Sequence, residues 1–186
     1  MTERTKNKSI KQLIQSTVAA VQMDIRLKPD SSGVNMSYNF ILDYVGFDTQ
    51  RLQQARNEMQ THIPLDEYIK ILTLHELGHA VDREALMDSL PRTMEIYKMK
   101  KSHPFHQQYE DLELLEMIIE EHKMNILFEE TAWINAEELN RIYRIVDWHS
   151  FEKVKTHSLL TYQELYEKDL ALYNRLVAES SEPAAS

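Results

Sequence analysis

Apolar residues recur at intervals of three and four along most of this chain, the mark of helices with one buried face. Ile10, Leu13, Ile14, Val18, Val21 and Ile25 predict a first helix from Ser9, its candidate cap, to about Arg26. Lys28 to Gly33 (KPDSSG) reads as a turn, and the following VNMSYNFILDYVGF, rich in β-branched and aromatic residues, predicts one short strand or a hairpin. Asp48 or Thr49 caps a predicted helix from Gln50 to about Gln60. Leu65 to about Leu90 is helical by pattern until Pro91 stops or bends it. Pro91 to Gln108 is mixed and reads as a solvated loop or short helix, the alternative being a lid or a source of a further metal ligand. Residues 109–146 form one long helix or two in near-continuity. The stretch after Asp147 is a turn or more helix, and Thr161 with Glu164 forms a capping box opening the last helix.

Composition narrows the class to mostly α with a small α+β element, because only 3 Gly and 5 Pro interrupt 186 residues. Apolar and charged fractions of 42% and 27% are globular values, and the length suits one domain, expected over 9–178 with flexible termini at 1–8 and 179–186. The formal charge of -9 disfavours a nucleic-acid backbone as partner. No stretch reaches the roughly 20 apolar residues of a membrane span, and the first residues lead into no apolar core of signal-peptide type, so a cytoplasmic location is the expectation. Cys is absent, which leaves His, Asp and Glu as metal ligands.

The candidate chemistry sits at His75-Glu76-Leu77-Gly78-His79. Two imidazoles four residues apart in a helix face the same way, and a Zn2+ ion takes such neutral nitrogens while keeping one position open for water. Glu76 projects toward the edge of that site, where it can take a proton from water and later deliver it to a leaving amine. Gly78 is costly in a helix interior, and the close approach of another backbone, such as an adjacent strand, is the simplest reason for it.

A third ligand belongs downstream, among His103, His106, Glu110, Glu113, Glu116, His122, Glu129 and Glu130. Helical phase favours Glu129, which shares an apolar face with Ile119, His122, Ile126, Ala132, Trp133 and Ala136 and so needs a cation or a proton. Glu130 falls near the edge of that face, and Arg141 or Arg144 is the competing partner for the glutamate. His122 is a candidate for contacting an oxyanion or fixing a carboxylate, or else a core histidine, and Asp82 is a candidate partner for His79. Tyr68, Tyr97, Tyr109 and Tyr143 are oxyanion candidates that spacing does not rank.

The HELGH motif with a downstream glutamate resembles the gluzincin type of zinc metallopeptidase. More narrowly, Glu129-Glu130-Thr131-Ala132-Trp133-Ile134-Asn135-Ala136-Glu137-Glu138-Leu139 resembles the second motif of the small phage- and mobile-element-associated peptidases of the ImmA/IrrE kind, with Trp133 and Asn135 standing where Asn or Asp and Phe are common. The resemblance covers about residues 60 to 140. The interval from His79 to Glu129 is longer than usual, which implies an inserted segment around 91–110. The resemblance implies a zincin-like core, Zn2+ on His75, His79 and Glu129, Glu76 as general base and then acid, and a narrow-specificity endopeptidase acting on a protein or peptide such as a repressor. The alternative is a regulatory or interaction protein of the same fold with structural zinc and no proteolysis.

Overall fold

The structure is a computed structural model that describes residues 3–181, with side chains from 9 to 180. It is mostly α-helical, with seven helices and a three-stranded sheet among the described residues. The elements are α1 (Glu3–Ala20), β1 (Arg26–Pro29), β2 (Met36–Asn39), β3 (Tyr44–Phe47), α2 (Thr49–Glu58), α3 (Leu65–Val81), α4 (Arg83–Ser102), α5 (Phe105–Glu110), α6 (Leu112–Tyr143) and α7 (Trp148–Ser181). They form two compact units. The first runs to Met87 and resumes from Glu129 to His157, and the second holds Asp88–Phe128 and continues from Ser158.

In the first unit, the sheet order is β1-β3-β2, with β1 parallel and β2 antiparallel to β3. Val45 and Phe47 of β3 and Met36 of β2 are buried, and α3 packs against α1, α2 and β2. Covered on several sides, α3 is buried without a break from Ile71 to Gly78, which is why its sequence is apolar nearly all round rather than striped. Asp48 caps α2 by accepting the N–H groups of Gln50 and Arg51, at 2.9 and 3.0 Å.

The second unit is an all-helical cluster. Ile96 and Met99 of α4 meet Leu115, Ile118 and Ile119 of α6, with Tyr166, Leu170, Tyr173 and Leu176 of α7 packed against them. Arg92 forks onto both carboxylate oxygens of Glu120, and buried Gln108 donates to the Lys100 and His103 carbonyls, tying α5 to the end of α4.

Several boundaries differ from the sequence reading. The first helix spans Glu3–Ala20 instead of Ser9 to Arg26, because its last predicted turn leaves the helix and Arg26–Pro29 pairs with β3 as a strand. Residues 1, 2 and 182–186 of the expected termini lie outside the described residues. The helix beginning at Leu65 ends at Val81, with Asp82 as its cap, and Pro91 sits inside α4. The break comes from tertiary anchoring: Arg83 donates to the Phe40 carbonyl at 2.8 Å and pins the start of α4 to the turn between β2 and β3. Most of 91–110 is helix. Thr161 lies within α7, where its hydroxyl donates to the Ser158 carbonyl, so it is no capping box.

Candidate metal centre

Two helix segments of the first unit build the site, each through residues at i, i+3 and i+4. From α3 these are His75, Gly78 and His79; from α6 they are Glu129, Ala132 and Trp133. The helices cross at the two small residues. A Cβ on Gly78 would collide with the Ala132 carbonyl oxygen, and Asn135 Nδ2 donates to the Gly78 carbonyl at 3.0 Å. The close backbone approach that Gly78 calls for therefore comes from a helix, not from a strand.

That crossing sets Glu129 over the two histidines. One carboxylate oxygen stands 3.1 Å from His75 Nε2 and the other 3.3 Å from His79 Nε2. The potential ligand atoms of His75, His79 and Glu129 all lie within 4.8 Å of one another. All three side chains are largely shielded, at 7%, 13% and 13% exposure. Arg141, the competing partner for the glutamate, pairs with Glu138.

The donor set fits a zinc ion. Two ligands held about 2.0–2.1 Å from a tetrahedral Zn2+ lie about 3.3 Å apart, close to the two nitrogen–oxygen separations found here. Two imidazole nitrogens and one carboxylate also match the ligand chemistry of an open, three-donor zinc site. The cluster can hold a metal ion; no ion is part of the structure.

Two carboxylates share this site and are driven in opposite directions. Burial pushes the Glu76 carboxyl above its ordinary range, opposed by the charges of His75 and His79 and by the Tyr38 backbone N–H, which donates to it. Burial also disfavours charge on Glu129, but the hydrogen bonds from His75 and His79 outweigh it and hold that carboxyl well below the usual range. For His79, burial pulls the imidazole down while the Glu129 hydrogen bond and the charges of Glu76, Glu129 and Asp82 raise it, and the rise wins. Asp82, placed at the end of α3, thus acts on His79 through charge.

Glu130 is exposed, one residue from Glu129 and off its face. His122 belongs to the second unit, where its Nε2 stands 2.9 Å from Asp169 Oδ2. Tyr109 donates to the same oxygen at 3.1 Å, and burial ahead of the Asp169 charge pushes its phenol up to about 12. His103 Nδ1 lies 3.0 Å from the Met99 carbonyl, to which it can only donate, and 3.0 Å from Ser102 Oγ, also in the second unit. Tyr68 is buried in α3, its phenol raised by burial against a hydrogen bond with Asn35. Tyr97 is exposed in the second unit, and Tyr143 ends α6 half-buried.

The sequence reading gave Trp133 no role. Its indole lies over the His75 ring, centroids 4.3 Å apart and planes 23° from parallel, with Phe151 edge-on behind it at 5.4 Å. Its place four residues after Glu129 was the available signal. Comparison of the chain with family models, curated proteins and solved structures finds no match.

Proposed function

We propose that this chain is a zinc-dependent endopeptidase of narrow specificity, working in the cytoplasm on a protein or peptide, with a repressor or other regulator as the substrate class its sequence resemblance implies. The observation that supports hydrolysis, beyond metal holding, is the buried Glu76 carboxyl beside the His75, His79 and Glu129 cluster. His75 and His79 through Nε2, and Glu129 through its carboxylate, would hold the zinc. The ion supplies Lewis acidity, polarising a carbonyl and making water a better proton donor.

In this reading Glu76 accepts a proton from the attacking water as the water oxygen bonds to the scissile carbonyl carbon. It returns that proton to the amide nitrogen as the carbon–nitrogen bond breaks, so the peptide is cleaved with one water consumed. A carboxyl raised by burial suits both halves of this transfer, being basic enough to accept the proton and able to hold it. Glu129 would be the anionic donor: its carboxyl already lies below the usual range, and with both Nε2 lone pairs on the zinc the cation would take over from the histidine hydrogen bonds in keeping it ionised.

The test is Glu76→Gln, assayed on a peptide library derived from cellular proteins with zinc content measured in parallel. The variant should keep its zinc and lose cleavage by about 100-fold or more. Undiminished cleavage by the variant, or no cleavage by a fully zinc-loaded wild type, would contradict proteolysis and favour structural zinc.

A further inference from the structure

Among the described residues, two buried side-chain nitrogens, His75 Nδ1 and Trp133 Nε1, have no protein hydrogen-bond partner. They belong to the two rings stacked against each other. A metal-binding histidine ordinarily donates its other ring N–H to a carboxylate, carbonyl or water, which fixes the plane of the imidazole. No protein group among the described residues accepts from His75 Nδ1, which is shut away from solvent.

We propose that Trp133 is the positioning residue for His75: the indole face fixes the imidazole plane in place of a hydrogen bond donated by Nδ1. The proposal rests on reading His75, His79 and Glu129 as a metal centre. Trp133 can serve as a fixed reference because it is fully buried and Phe151 packs edge-on against it. His79 meets the His75 ring at 71° with centroids 4.7 Å apart, so it does not supply the flat contact. The indole also rides on the helix that carries Glu129, one turn further on. One segment of α6 thereby provides both a donor and the surface that aims another donor toward it.

The substitution pair that tests this is Trp133→Phe, which keeps an aromatic face, and Trp133→Leu, which fills much of the space without one. Zinc affinity is read by chelator competition, with circular dichroism and thermal unfolding of the metal-free proteins reporting the fold. Trp133→Phe should bind within about 3-fold of wild type and Trp133→Leu about 10- to 100-fold more weakly, the range seen when the group orienting a ligand is lost. A second readout covers the case in which the leucine variant does not fold. The chain has 2 Trp, so Trp148→Phe leaves Trp133 as the sole indole, and its emission should change with zinc and saturate at one equivalent, while Trp133→Phe shows no such change. A folded Trp133→Leu protein that binds zinc as tightly as wild type would overturn the proposal. So would unchanged Trp133 emission in a Trp148→Phe protein shown independently to bind zinc. No zinc uptake by the wild type would overturn the metal reading itself and the proposal with it.

Discussion

Glu76 and Glu129 lie in one shielded cluster, yet their surroundings separate them. Glu129 faces two imidazole nitrogens at 3.1 and 3.3 Å, whereas at Glu76 burial prevails over the charges of His75 and His79 and the Tyr38 backbone N–H. When two carboxyls of one site are driven apart in this way, the raised one is suited to carrying protons and the lowered one to staying charged. Asp48 shows the same physics in a structural role. The Arg51 N–H, ahead of the opposing cost of burial and joined by those of Gly33 and Gln50, holds its carboxyl below the usual range. A carboxyl lowered in the folded state contributes stability above its unfolded value near 4, and that contribution is lost as pH falls through the folded value. Asp48→Asn keeps an oxygen for the Gln50 and Arg51 N–H groups but loses the charge and the acceptor for the Gly33 N–H, so it should unfold at a lower denaturant midpoint than wild type at neutral pH and show a shallower loss of stability below about pH 4. Equal acid sensitivity in the two proteins would contradict this role.

At the level of elements, the contact between Gly78 and Ala132 positions the candidate site. Adding a methyl group at Gly78 drives it into the Ala132 carbonyl, so Gly78→Ala should cost about 1–3 kcal/mol in denaturant unfolding, as overpacking does. The same separation of α3 from α6 should weaken zinc binding, which chelator competition would measure. The convergence of His75, His79 and Glu129 was legible because helical geometry alone puts residues four apart on one side of α3 and sets Glu129 in the apolar face of α6. The requirement for a close backbone at Gly78 was legible too, but the identity of the approaching element was not, since a missing Cβ carries no record of its neighbour. Strand β1 escaped detection because its four residues, Arg26–Pro29, are largely exposed and show no apolar alternation. The end of α3 at Val81 was hidden for a different reason: Arg83 anchors the chain to a carbonyl 43 residues away. Pro91, expected to stop or bend a helix, does not stop α4, which runs through it from Arg83 to Ser102.

For the molecule as a whole, the candidate metal ligands and the His122–Asp169 pair belong to different units. His122 and Asp169 lie in the second unit, His75, His79 and Glu129 in the first. His122→Ala should therefore leave zinc stoichiometry unchanged while lowering thermal stability, because it leaves Asp169 with fewer partners in a buried position. Loss of zinc from that variant would contradict a ligand set that leaves out His122. No helix among the described residues is long and apolar enough to cross a membrane.

The most direct test of the metal centre is zinc content by elemental analysis, on protein purified without added metal and again after zinc titration, for wild type, Glu129→Gln and Glu76→Gln. Wild type and Glu76→Gln should each hold about one zinc per chain, and Glu129→Gln should bind at least about 10-fold more weakly, having lost the anionic donor. Less than about a tenth of an equivalent in the wild type with no uptake on titration, or undiminished binding by Glu129→Gln, would contradict a zinc site built from His75, His79 and Glu129.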